Sequence, residues 1–279
     1  MLGLGSGINR LSAAESASIA ARSGGYLLDT YSGAAAAYSL RQLSSSYSSN
    51  AIKVRRASDN AESDIRLVNG ELDTTGLANH CGSSDGFISV WYDQSSDSNN
   101  ATQTTAAAQP KIYDGTTGVV TENGKPSIYS DGTKQMSLSS DISVTDSDYF
   151  VVDVTQRDRS AETAAGGQHH GWQSFGGGDL LMFDTNAGAI YSAGYKNPSF
   201  SSSDLTIKTF DLASPNLAVY ENGASHLTST YAQVTMQGNI KLFFTAMIGH
   251  RSELIIYASD QSTNRTNIED NINTFYSIF

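Results

Sequence analysis

The sequence predicts an all-β fold, a jelly-roll sandwich of two antiparallel sheets, on three observations. Short runs rich in Val, Ile, Phe and Tyr recur along most of the 279 residues, separated by Gly, Asn and Asp clusters. Hydrophobic residues are 39% and charged residues 16%; Ser, Thr, Asn, Gln and Gly fill the difference, as in a turn-rich β protein with a neutral polar surface. After Asp260 the pattern changes, and Ile268, Ile272, Phe275 and Tyr276 fall at helical spacing, predicting a closing amphipathic helix.

Taken in order, residues 1–25 read as an N-terminal arm. Ser12-Ala13-Ala14-Glu15 fits a capping box, and Gly24-Gly25 a stop, for a short helix over 12–23. So few large side chains make that helix marginal alone: it either docks onto its own domain or a neighbouring subunit, or frays. Residues 26–279 form one sandwich domain, a length a single β domain can reach. Residues 34–43 fit a helical turn or a strand equally. Ala51–Arg56 alternates apolar and basic, as a half-buried strand does. Further strands are expected at 87–92, 149–155, 179–184, 188–195, 205–210, 216–221, 239–247 and 252–257. Asn222-Gly223 supplies the positive φ values of a type I′ hairpin, and Asn123-Gly124 repeats the pair. Residues 157–178, rich in Gly, read as a long loop.

Seventeen basic against 28 acidic residues give a net charge of −11, which repels phosphate backbones and argues against nucleic acid. No run reaches the roughly 20 apolar residues of a membrane span. The N-terminus lacks the basic and apolar regions of a secretory signal, and the single Cys81 excludes an internal disulfide framework.

Several stretches carry a resemblance. AAYSLRQLSSSYSSNAIKVRRASDNAESDI, VWYDQSSDSNNATQ, QPKI and ENGKPSI are similar to the catalytic sandwich of the arabinofuranosidase B family. The tail ELIIYASDQSTNRTNIEDNINTFYSIF resembles the closing strand and helix of concanavalin A-like, laminin-G-like domains. The leader MLGLG resembles that of virion structural proteins of tailed phages. The enzyme resemblance implies two carboxylates flanking a sugar groove. Its nucleophile, a Glu, is matched most nearly by Asp179 in GGGDLLMF, one methylene shorter. The loop carrying its acid/base Asp has no counterpart in NIKLFFTAMIGHRSELIIY, and its pair of adjacent cysteines is reduced to one.

Among candidate residues, Trp91-Tyr92-Asp93-Gln94 raises a question, since two aromatics stand before the most hydrophilic loop of the chain. Trp91 and Tyr92 must point to opposite faces, so one enters the core, while Asp93 accepts amides and pins the turn. Arg55 and Arg56 with Asp59 and Asp64 read as a solvated ion-pair ladder. His169-His170 lacks supporting ligands for a metal. Trp172 is the best aromatic platform for a sugar, with His170, Asp179 and Tyr195 as neighbours. The departures at the implied catalytic groups lead to an expectation of a non-enzymatic, homo-oligomeric virion protein without cofactors, in the capsid decoration, tail or fibre. Its arm would dock other virion proteins and its lectin-like sandwich would touch host glycans. The alternative is a glycoside hydrolase of arabinofuranosidase type.

Overall fold

The computed structural model describes residues 25–139, 142, 148–158, 190–191, 195–196, 200, 204–213, 215–230, 241–243 and 248–279. The principal strands are β1 (Ala34–Ser39), β2 (Asn50–Arg56), β3 (Glu62–Val68), β4 (Gly86–Trp91), β5 (Lys111–Asp114) and β6 (Ile128–Asp131). They continue as β7 (Asp148–Arg157), β8 (Thr206–Ala213), β9 (Asn216–Glu221), β10 (Ala224–Thr230) and β11 (Ile248–Tyr257). Helices are α1 (Leu27–Thr30), α2 (Thr74–Cys81) and α3 (Arg265–Tyr276).

Among the described residues all the pairings are antiparallel, in the order β10-β9-β8-β7-β11-β6-β5-β4-β2-β3, with β1 alongside the second half of β11. Laid flat, β4 would stand three strands from β11, roughly 15 Å away at about 4.8 Å per step. Yet the Trp91 ring at the end of β4 lies 5.7 Å from that of Tyr38 on β1, so the sheet folds over into two layers. Between them sits a core that joins Ile52, Val54, Ile88 and Trp91 to Tyr149, Val151, Phe210, Val219, Leu254 and Ile256. Alternation explains the second core: Phe150, Val152, Val154, Ile255 and Tyr257 point out of the sandwich and are covered by Ile268, Ile272 and Tyr276 of α3.

Two polar knots hold the layers. At the end of β4, Asp93 accepts from the amides of Ala37 (2.8 Å), Ser95 (2.8 Å) and Asn99 (2.9 Å) and from the Ser95 hydroxyl (2.7 Å). Gln94 donates to the carbonyls of Ser39 and Arg41 and accepts from the Leu43 amide, satisfying its side chain. On the outer face, Arg41 grips Glu253 with two bonds of 2.8 and 2.9 Å, while Asn271 of α3 accepts from the same guanidinium. A buried ion pair stabilises little relative to apolar packing, but it is costly to break singly, so this one fixes how α3 sits.

The sandwich, the closing helix and both Asn-Gly hairpins agree with the sequence expectation; Asn123 and Asn222 have φ of 47° and 51°. Residues 34–39 resolve as strand. Trp91 is fully buried, and Tyr92 faces outward with its hydroxyl donating to Asp64. Of the basic ladder, Arg56 pairs with Asp59 and Lys53 with Asp64, whereas Arg55 bonds Gln109 and Asn60. The expected arm helix 12–23 and strand 179–184 lie outside the described residues. In place of the single strand expected over 188–195, two short strands, Ile190–Tyr191 and Tyr195–Lys196, pair with each other. The chain's one thiol, Cys81, is buried at the end of α2, and burial pushes its pKa up to about 11.

Asp93→Ala would leave the buried Ala37 amide without a partner and release the following loop. We expect a loss of about 3 kcal/mol, read as a lower urea midpoint with unchanged slope.

Candidate functional site

The inner face of β7, β8, β9 and β11 changes character along its length. Val151, Phe210, Val219 and Ile256 lie side by side in the core. Two residues further on, the same face carries Asp153, Lys208 and Glu221 in register, with exposures of 5%, 1% and 6%. The next positions are Thr155, Thr206 and Arg251, then Arg157, all buried. Interior positions occupied by charge are costly unless each group is engaged, and sites of chemistry are where proteins tolerate that cost.

Engagement here is specific. Arg251 holds Asp153 in a fork, Nε to Oδ1 and Nη2 to Oδ2, both 2.9 Å, which fixes the carboxylate plane. Glu221 Oε2 lies 3.6 Å from His226 Nε2, while its Oε1 is buried without a hydrogen-bond partner. The Phe200 ring completes the corner, 5.2 Å from Lys208 Nζ and 5.8 Å from the His226 ring. The approach of β11 to β7 at this end requires Gly249. Its φ is 144°, and a Cβ there would stand 2.2 Å from the Gln156 carbonyl oxygen.

A second group of buried acids lies between the outer face and α3. Burial raises the Asp211 pKa to about 6, helped by Asp260 and Asp148 and opposed by Arg265. Glu269 is likewise raised by burial, although Arg265 Nη1 lies 2.5 Å from its Oε2. At the opposite end of the face, burial lowers the His250 pKa to about 4, so the ring is neutral at pH 7 and its Nε2 sits 3.1 Å from Glu122. Among the described residues no three His, Cys, Asp or Glu side chains converge as metal ligands.

Of the residues singled out in the sequence, Trp91, Asp93 and Gln94 are buried structural groups at the layer junction, and Tyr92 flanks them. His170, Trp172 and Asp179 lie outside the described residues. Tyr195 is placed only by its backbone pairing with Tyr191. The chain leaves β7 at Asp158 and returns at Asp204, both at the charged end of the inner face. Sequence reasoning missed Asp153, Arg157, Lys208, Glu221, His226 and Arg251. The available signal was a charge on the inward parity of an apolar strand, as with Asp153 in FVVDV and Lys208 in TIKTF.

Residues 29–164, just under half of the chain, match the model of the alpha-L-arabinofuranosidase B catalytic family. No curated protein matches. Solved structures share the fold. A GH54 α-L-arabinofuranosidase mutant soaked with 4-nitrophenyl α-L-arabinofuranoside superposes at TM-score 0.63 with 13% identity, and so does a GH54 enzyme soaked with a cyclic sulfate inhibitor. An arabinofuranosidase complexed with arabinofuranosyl-alpha-1,2-xylobiose gives 0.59 and 15%. Each comparison covers 90% of this chain and 64% of the other, so this chain spans a little under two thirds of those proteins.

These findings correct the expectation of a non-enzymatic virion protein. The part of the chain that carries the strongest likeness matches a catalytic family, and nothing in the comparisons supports a capsid, tail or fibre role. Missing family groups in three short stretches were given more weight than the match over residues 29–164 warrants. Residues 1–24, most of the arm expected to dock other virion proteins, lie outside the described residues.

The buried acid of the outer face gives a signed pH effect. Asp211 binds its proton at about pH 6 when folded but near 3.8 when unfolded. Its contribution to stability is therefore fully present below pH 3.8 and lost as pH rises through 6. His250 works in the opposite direction over part of this range: unfolded it takes a proton near 6.5, folded only near 4. Single variants separate the two. Asp211→Asn should be more stable than wild type at pH 7.5, with the difference vanishing by pH 4, in urea titrations across that range.

Proposed function

We propose that the chain is a glycoside hydrolase of arabinofuranosidase type, acting on arabinose-containing glycans. The match of residues 29–164 to a catalytic family carries this reading. The buried charged row on the inner face supports it, because hydrolysis of a glycoside needs carboxyl groups presented inside a groove.

Within the row the two acids take different parts. Asp153 has both oxygens in the Arg251 fork, so it serves to hold the arginine and the strand ends in place. Glu221 has one oxygen unpartnered, and this is the carboxyl group we assign to contact with the sugar. His226 beside it sets the orientation of the other oxygen, and Phe200 offers an apolar surface for a ring face. Lys208, in register between the two acids, provides a donor for a substrate hydroxyl. For the second carboxyl group we propose Asp179, the nearest match in the sequence to the family's nucleophile. Protonation of the leaving oxygen by one acid and attack at the anomeric carbon by the other, or by water it activates, then completes bond cleavage.

Release of 4-nitrophenol from 4-nitrophenyl α-L-arabinofuranoside is the direct test. Wild type should turn over, and Glu221→Gln and Asp179→Asn should each lower kcat by about 10³-fold, the scale of a lost acid or base. Asp153→Asn should cost less in kcat than in stability. No turnover by wild type on any arabinofuranoside would end the proposal, and full activity in Glu221→Gln would remove that residue from it.

A further inference from the structure

On the far side of the layer junction from the charged row, the turn after Asp93 meets α1 and the loop that follows β1. They enclose an open cavity of about 330 Å³, at the small end of the range for ligand pockets. Its floor is apolar, formed by Leu28 and Ala34, and its wall carries the half-buried ring of Tyr47. Apart from Gly33 and Gln94, the rest of the lining is hydroxylic: Ser32, Ser44, Ser46, Ser95 and Ser96. Among the described residues that line it, none is charged.

The hydrogen bonds of these hydroxyls say what the cavity can receive. Ser95 donates its proton to Asp93 and Ser96 to Asp97. Tyr47 donates to the Asn50 carbonyl at 2.7 Å. Ser44 donates to Asp29, so in the 2.9 Å contact between Ser44 and Ser46 the proton belongs to Ser46. Gln94 at the back has all its side-chain bonds to backbone. The protons of Ser44, Ser46, Tyr47, Ser95 and Ser96 are thus committed to the protein, and Ser49 engages the Tyr47 oxygen, while oxygen lone pairs on Ser46 and Ser96 remain as acceptors. Apart from the exposed Ser32 hydroxyl, the lining offers acceptors, so a ligand that fits must bring donors. An anion brings none and meets no cation here, and a bare cation meets no carboxylate in the lining. A neutral molecule with several hydroxyls and one apolar face satisfies the acceptors, the Tyr47 ring and the Leu28 floor together. The lining is also fixed in advance, because Asp93 and Asp29 tie both loops down, which reduces the ordering cost of binding.

We propose that this cavity is a saccharide-binding subsite, separate from the charged row, that holds a neutral sugar unit of a polymer. The hydrolase reading enters only through the choice of polymer used to probe it. Native gel electrophoresis in the presence of a soluble neutral arabinan reads binding as retardation, and turnover of 4-nitrophenyl α-L-arabinofuranoside reads the reaction separately. Wild type should be retarded. Tyr47→Ala should raise the apparent Kd roughly tenfold, the loss of one aromatic contact, with aryl-glycoside kcat/KM unchanged within about twofold. Ser96→Leu, at an exposed loop position that carries no fold, blocks the mouth and should weaken retardation by at least as much. It decides the matter on its own where Tyr47→Ala fails to fold. Unretarded wild type, or retardation of Ser96→Leu equal to wild type, would overturn the subsite. Retardation that depends on Tyr47 in a chain without turnover would leave the subsite standing and remove the hydrolase.

Discussion

The layer junction at Asp93 and Gln94 is the constraint on which the remaining architecture depends. Residues on the edge of one layer reach across to the backbone of β1 and the segment after it in the other, supplying the Ala37 amide and the Ser39, Arg41 and Leu43 groups with partners. β1 lies against β11, and β11 in turn carries both the Arg251 fork of the inner face and Glu253 of the outer face. One short dipeptide therefore sets the position of the strand from which two charged centres hang. Polar groups suit this task because their bonds are directional: an apolar contact would tolerate sliding of the layers that these bonds do not.

The same strand separates three environments by alternation and one bulge. Leu254 and Ile256 look into the core, Ile255 and Tyr257 look towards α3, and the bulge between Val154 and Thr155 allows Arg251 to face inward near Asp153. The fold thus places charge at one end of a continuous apolar face without a separate domain to hold it. Where the apolar rows stop, the hydrolytic groove we propose begins.

Much of this was legible in the chain itself. Period-two runs gave most of the strands, Asn222-Gly223 gave its hairpin, and Ile268, Ile272 and Tyr276 gave the helix, because each is dictated by local geometry. Trp91 and Asp93 could also be read, since an aromatic before a turn-forming acid has few other uses. The charged row could not be read in that way. Lys208 and Glu221 become neighbours only through register between β8 and β9, and Asp153 meets Arg251 across 98 residues of sequence. Trp172 and His170 are conspicuous by residue type, whereas the inward-parity Asp inside FVVDV is a signal whose partners only the fold supplies. The hydroxyl-lined cavity was equally hidden: serines in low-complexity loops carry no pattern until the fold decides which of them face one another.

Cys81 gives this protein a built-in clock. A lone thiol that is buried and holds its proton to about pH 11 is protected twice from alkylating reagents, by access and by chemistry. Modification must wait until α2 lifts away from the sheet. The rate at which a thiol reagent labels the intact chain therefore times the opening of that corner, without any engineered probe.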